Sequence, residues 1–240
     1  MQTVSDITGL LVAITGGTSG LGLALVRRLA AAGARIAFVA RSAPAVIRIA
    51  KETGAHGIVG DIGSKEDIYA IALQITGNLG GLNVLINNAS SLGPTPLAHL
   101  ADTECEDFER ALVVNVLGAF RLTKALFGAL AASARNGGTA LVINISSDAS
   151  LNAYPGWGAY AASKAALRQM SAIWAEEAAA DGVHFLSIDP GDMDTPLHAL
   201  AMPDADPSTL KRPEQSASEI VDAIRIALSS TAERLAEVRR

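Results

Sequence analysis

One junction near the start of the chain constrains its fold more than any other feature. An apolar run, Leu10-Leu11-Val12-Ala13-Ile14, ends in Thr15-Gly16-Gly17-Thr18-Ser19-Gly20-Leu21-Gly22, and Leu21, Ala24, Leu25 and Leu29 then recur at helical spacing. A short apolar run bounded by turn residues reads as a strand buried on both faces, which occurs where helices cover a parallel sheet on both sides. Gly33 stands where a helix C-cap is expected. The pairing then repeats, with strands at residues 35–40, 56–59, 82–86, 139–145 and 183–188. Helices fall between them at 43–53, at 64–76 with Ser64 as N-cap, from about 105 to 135 and at 157–180. Thr103 and Glu106 have the spacing of a capping box opening the third of these. Strand and helix alternating throughout predict right-handed crossovers and one α/β domain. The sheet is a doubly wound, Rossmann-type parallel sheet of six to seven strands with helices on both faces.

Composition removes competing classes. Of 240 residues, 50% are hydrophobic and 18% charged, below the roughly 25% charge usual for a soluble domain, so an apolar surface that pairs with another subunit is expected. The net charge of −5 offers no basic footprint for nucleic acid. Cys105 is alone, so no intramolecular disulfide forms, and a reducing cytoplasm is the expected setting. Two uncharged stretches, 7–26 and 68–101, have membrane-span length, but five glycines interrupt the first, and Asn78, Asn83, Asn87 and Asn88 the second. Both read as buried strands with loops. His56, His99, His184 and His198 show no metal-ligand spacing with each other or with Cys105, so no metal site is expected. The proline-rich stretch 190–216 has too little periodicity for a sheet element and reads as a functional loop or lid.

Glycines directly between a first strand and its helix let the backbone approach a pyrophosphate, whose charge is met by the helix N-terminal amides. The alternative is a tight turn without a ligand. A P-loop is excluded, because no Gly-Lys-Ser/Thr follows. A site for unphosphorylated NAD usually carries an acid about 20 residues on, to accept from the ribose 2′-hydroxyl. No Asp or Glu occurs anywhere in 7–51; the second strand ends instead in Ala40-Arg41-Ser42. Arg41 is therefore either a partner for a 2′-phosphate, with Ser42 adding a hydroxyl, or a solvated arginine, and the first reading makes NADP(H) the preferred cofactor with NAD(H) possible.

Tyr160-Ala161-Ala162-Ser163-Lys164 places a phenol and an ammonium four residues apart, on one helical face. A phenol with a pKa of about 10 shuttles protons poorly at neutral pH, and a nearby cation favours its phenolate. That pairing suits general acid/base chemistry. Asn144-Ile145-Ser146-Ser147 closes the fifth strand, at the sheet edge where ligands of open α/β sheets gather.

With these residues in place the chain resembles the classical short-chain dehydrogenase/reductase family from Thr15 to about Thr195. Thr15 to Gly22 resembles its cofactor glycine motif, Asn87-Asn88-Ala89 the motif closing strand four, and Asn115 the helix asparagine. Ser147, Tyr160 and Lys164 match the catalytic set, with Ser147 selected over Ser146 because the family's serine lies 13 residues before the tyrosine. Pro190-Gly191 with Met193 and Thr195 matches the nicotinamide segment. The resemblance implies hydride exchange between a nicotinamide and a carbonyl or alcohol, with Tyr160 as proton donor and Ser147 holding the carbonyl oxygen. It also implies that Lys164 binds the nicotinamide ribose and depresses the tyrosine pKa, and that Asn115 holds a water linking Lys164 to solvent. Gly16, Thr18, Ser19, Gly20, Leu21 and Gly22 would line the phosphates, and Asp61 and Ile62 the adenine. Asn88, Ala89 and Ser90 would face the ribose cleft, and Thr195 the cofactor's phosphate or carboxamide.

Three departures stand out. Ser90 replaces the family's usual glycine, Thr18 and Ser19 stand where many NADP-dependent members carry a base, and the chain end lacks the Asp-Gly-Gly of the seventh strand. Residues 235–238 are candidates for a substitute strand or a tail. Ser91, Leu92, Asp148, Asn152, Tyr154, Trp157, Met193, Leu197 and His198 are the candidate pocket wall. The family's habit of packing helices between subunits implies a homodimer or homotetramer through residues 107–135 and 157–180. A second function of a different class, a non-catalytic regulatory protein sensing NAD(P), is weighed against the enzyme. Such a protein would be expected to lose the tyrosine or lysine that this chain keeps.

Overall fold

The computed structural model describes residues 7–138 and 140–238, with side chains for all of these except 230–238. Six strands form one parallel sheet: β1 (Leu11–Thr15), β2 (Arg35–Ala40), β3 (His56–Val59), β4 (Val84–Asn87), β5 (Ala140–Ile145) and β6 (Val183–Ile188), in spatial order β3-β2-β1-β4-β5-β6. The helices are α1 (Gly20–Ala31), α2 (Ala43–Thr53), α3 (Asp67–Leu79), α4 (Cys105–Leu112), α5 (Ala119–Arg135), α6 (Gly158–Glu177), α7 (Pro196–Ala201) and α8 (Pro213–Val238). The order reverses between β1 and β4, and that switch point opens a crevice at the strands' carboxyl ends.

Strand period accounts for the two cores. On β1, Val12 and Ile14 face one side and Ala13 the other; on β2, Ile36 and Phe38 oppose Ala37 and Val39; on β5, Leu141 and Ile143 oppose Ala140 and Val142. The first side is covered by Leu25 and Leu29 of α1, Ile49 of α2 and Ile220 and Ile224 of α8. The second is covered by Ile71 and Ile75 of α3 and by Leu122, Leu126 and Leu130 of α5. A fully buried side chain of this size stabilises the fold by about 1.5–3 kcal/mol relative to leaving it in water. The stretch Cys105–Arg135 is long and apolar enough to span a membrane by length and composition. Leu122, Leu126 and Leu130 on it are nonetheless fully buried against the sheet, as in the core helix of a globular protein.

Several local expectations change. α3 begins at Asp67 rather than Ser64, because residues 65–66 form a turn; Ser64 still caps it, its Oγ accepting from the Asp67 amide at 3.3 Å and donating to the Asp67 carboxylate at 3.0 Å. The capping box of Thr103 and Glu106 does not form. Thr103 Oγ1 donates back to the His99 carbonyl at 2.9 Å, and α4 starts at Cys105 without a side-chain cap. The long third helix is interrupted by a π-helical turn, Val113–Gly118. Gly118 is required there, since a Cβ would lie 2.6 Å from the Ile62 carbonyl oxygen. Residues 190–216 are less irregular than their composition suggests: they hold α7, a short 3-10 turn at Pro207–Thr209 and the start of α8. Residues 235–238 end α8, so there is no seventh strand among the described residues.

Candidate active site

The crevice is built first by Thr15, at the end of β1. Its buried hydroxyl accepts from the amides of Asn88 and Ala89, each at 3.0 Å, while Asn88 Nδ2 donates to the Thr15 carbonyl at 2.8 Å. These bonds tie β1 to the segment after β4 across the switch point. The glycine turn then passes through a space that side chains would fill: a Cβ on Gly22 would lie 2.2 Å from the Gly16 carbonyl oxygen, and one on Gly17 2.7 Å from Phe38. Gly16 has φ +71°, open to glycine at no steric cost. α1 starts at Gly20 with no acidic residue in its first turn and no side-chain cap from Ser19, so its first amides remain available to an anion. Thr195 sits across from this turn, its Cγ2 within 3.1 Å of where a Gly20 Cβ would be, and its Oγ1 accepts the His198 amide at 3.2 Å to cap α7.

Arg41 and Ser42 follow β2 and are both exposed; Ser42 precedes α2 without capping it through its side chain, and no ion pair involves Arg41 among the described residues. Asp61 is half-buried, its Oδ1 accepting the Gly63 amide at 2.8 Å, with Ile62 buried in the second core. Pro190 is buried, and its carbonyl accepts from Ser216 Oγ at 2.8 Å. Gly191 turns with φ +76°. Met193 is half-buried, packs against the first core and bridges through its backbone to Lys211.

At the end of β5 and on α6 lie the candidate catalytic residues. Tyr160 is 8% exposed and Lys164 2%; Lys164 Nζ lies 5.5 Å from the Tyr160 ring centroid and donates to the Ile145 carbonyl at 2.7 Å. Ser147 Oγ accepts the Ala149 amide at 3.2 Å and donates to Asp148 Oδ1 at 3.1 Å. Asn115, inside the π-helical turn, is buried; its Nδ2 donates to Ser163 Oγ and to the Ser91 carbonyl, each at 2.8 Å, and its Oδ1 accepts from the Ser91 amide and Ser90 Oγ. The unusual Ser90 therefore supports Asn115. Leu92, Trp157 and Leu197 pack with Tyr160 and Ala201 in a third, smaller apolar cluster, the Trp157 ring edge-on to Tyr160 at 5.6 Å.

A family model described as short chain dehydrogenase matches residues 10–205. The chain belongs to the short-chain dehydrogenase family. It is 30% identical over 224 residues to the 2-(R)-hydroxypropyl-CoM dehydrogenase of Xanthobacter autotrophicus, covering 88% of each chain. Its fold matches a 3-ketoacyl-(acyl-carrier-protein) reductase from Brucella melitensis complexed with NADH, with TM-score 0.83, 27% identity and 90% of each chain covered. It also matches a short chain dehydrogenase from Shigella flexneri complexed with NADP, with TM-score 0.80, 25% identity, and 93% and 92% of the two chains covered. As a short-chain dehydrogenase the protein is an oxidoreductase acting on hydroxyl or carbonyl groups, built on a Rossmann-type fold.

The electrostatics of this dehydrogenase differ from the expectation that Lys164 lowers the tyrosine. Burial pushes the Tyr160 phenol up to about 12, and the carboxylates of Asp189, Asp148 and Asp192 add to the rise. Burial likewise pulls Lys164 down to about 8. The hydrogen bond from Tyr154 to Asp148 was not legible in the sequence: Tyr154 OH donates to Asp148 Oδ2 at 2.6 Å, and Asn152 Nδ2 donates to the Asp148 carbonyl at 3.3 Å. Tyr-Asp pairs six residues apart have no periodic signature in a loop.

Proposed function

We propose that this short-chain dehydrogenase is an NADP(H)-dependent enzyme of the carbonyl reductase or alcohol dehydrogenase type, with Tyr160 as its general acid/base. The supporting observation is the pairing at the end of β5: a buried phenol beside a buried lysine, with the Ser147 hydroxyl at its edge. The glycine cradle, the open first turn of α1 and the exposed, unpaired Arg41 fit a phosphorylated dinucleotide, with Arg41 and Ser42 holding the 2′-phosphate. When bound, that cofactor supplies or takes up the hydride. Tyr160, protonated throughout the neutral range, gives its proton to the carbonyl oxygen. Ser147 turns its hydroxyl from Asp148 to that oxygen and stabilises the negative charge developing there. Lys164 lies under the phenol ring and donates to the Ile145 carbonyl, where it would meet the nicotinamide ribose, and Asn115 holds the segment after β4 against α6 through Ser91 and Ser163. The relatives named as dehydrogenases and reductases give no support to a non-catalytic sensor.

The same helices carry a self-association surface. A groove of about 600 Å³ lies between α5 and α6, lined by Phe120, Lys124, Met170, Ile173 and Trp174, with Ile173 48% exposed. We propose that a second copy of the chain covers it, as the low surface charge suggests, and that the protein works as a homo-oligomer in the cytoplasm. The decisive assay follows NADPH absorbance against a panel of aldehydes and ketones, with Tyr160→Phe as control. Turnover by the parent and not by the variant is expected. Equal consumption by Tyr160→Phe refutes the mechanism.

A further inference from the structure

The loop after β5 carries a carboxylate to within one hydrogen bond of the proposed catalytic serine. Ionised Asp148 can only accept, so the bond of 3.1 Å from Ser147 Oγ to Asp148 Oδ1 is donated by the serine. The other carboxylate oxygen accepts from Tyr154 OH at 2.6 Å. The amide of Asn152 and its side-chain Nδ2 both donate to the Asp148 carbonyl, at 3.0 and 3.3 Å. Asp148 is thus positioned from both ends, while remaining exposed to solvent. Its bond from Tyr154, and then that from Ser147, hold the carboxyl below the usual carboxylate range despite partial desolvation.

The consequence is an exchange. For Ser147 to hold a substrate carbonyl oxygen it must release Asp148, leaving one carboxylate oxygen without its donor. A plain ketone offers nothing in return. A substrate with a hydroxyl on the carbon next to the carbonyl has its two oxygens about one hydrogen-bond length apart, close to the Ser147–Asp148 spacing, and can take the serine proton while giving its own to Asp148. An anionic group at that same place meets a carboxylate. Among the described residues no ion pair involves Asp148; Lys211 is paired with Glu219 at 2.8 Å, and Lys164 is buried beneath the phenol.

We infer that Asp148 is a specificity-determining residue that selects neutral α-hydroxy carbonyl compounds, or the corresponding vicinal diols, over plain ketones and over substrates with an acidic group beside the carbonyl. The inference rests on the oxidoreductase function proposed above. It is tested on a matched four-carbon set, butanone, 1-hydroxybutan-2-one and 2-oxobutanoate, by measuring kcat and KM with NADPH for the parent, Asp148→Asn, Asp148→Ala and Tyr154→Phe. The parent is expected to favour the hydroxyketone over butanone by about tenfold in kcat/KM, mostly through KM, and to use oxobutanoate less well than butanone. Asp148→Asn, which keeps an acceptor and removes the charge, raises kcat/KM for oxobutanoate and retains preference for the hydroxyketone. Asp148→Ala brings the three substrates to within about twofold of their intrinsic ratio, and Tyr154→Phe narrows the preference partway. Because Asp148 is exposed, neither of its substitutions removes core packing. Reduction of butanone with unchanged substrate ratios in Asp148→Ala overturns the assignment of Asp148 alone. Failure to reduce any of the three, with NADPH bound, counts instead against the carbonyl-reductase reading proposed above.

Discussion

Lys164 is 2% exposed, and burial lowers its pKa from 10.5 to about 8, so the charge that suits it to catalysis is a burden on the fold. A lysine depressed in the native state binds fewer protons there than in the unfolded chain between those two values, and stability rises with pH across that window. At pH 7 both states are protonated and the full penalty applies, about 3 kcal/mol for a shift of this size. Lys164→Met removes the buried charge while filling a similar volume, but it strips the Ile145 carbonyl of its donor, which costs about 1–2 kcal/mol. The variant is therefore expected to be more stable than the parent by about 1–2 kcal/mol at pH 7, while losing activity. At pH 9.5 about 2 kcal/mol of the penalty has gone from the parent, and the advantage disappears or changes sign. Tyr160, whose raised pKa lowers stability only above about 10, stays protonated in both states and both proteins within this range. Urea titrations followed by far-ultraviolet circular dichroism at the two pH values measure the difference directly. A variant less stable than the parent at pH 7, or an advantage equal at both pH values, refutes the account of Lys164 as a buried cation under strain.

Arg41→Ala should weaken NADPH binding by about tenfold or more and NADH binding by less than about twofold, because only the first has a 2′-phosphate to lose a charge-assisted bond; equal losses by fluorescence titration reject the phosphate role. Leu126→Ala, at a side chain fully buried between α5 and the sheet, should cost about 2–5 kcal/mol in urea denaturation, and a cost near zero would mean that α5 is not packed as described. Ile173→Glu places a charge in the apolar groove between α5 and α6 and should shift the oligomer toward monomer by light scattering; a parent that is already monomeric at micromolar concentration contradicts the second-copy proposal.

Much of the scaffold was legible because it depends on near neighbours in sequence. β2, α2, β3 and β6 fall where residues 35–40, 43–53, 56–59 and 183–188 were expected, since each is bounded by its own glycine, proline or change of apolar period. The stacking of Lys164 under Tyr160 was legible from helical spacing, whereas the choice of Ser147 over Ser146 came from the family resemblance. The π-helical turn around Asn115 was not legible, since no apolar period marks it and its last residue, Gly118, lies against Ile62, more than fifty residues away along the chain. Thr103 was misjudged for a related reason: its hydroxyl donates to the His99 carbonyl at 2.9 Å instead of accepting from an amide of α4.

The sequence by itself determined the alternation of buried strands and covering helices, the glycine turn after β1, and which phenol and lysine share a helix face. These follow from the reach of the chain over a few residues and from periods of two and 3.6. Only the tertiary structure decided how those groups titrate and what they touch. The Tyr160 phenol rises because α6 is pressed into the end of the sheet, and the Ser147 hydroxyl points to Asp148 because the loop after β5 folds back on itself. Desolvation and hydrogen-bond direction depend on everything within a few ångströms, and neighbours in space are not neighbours in sequence.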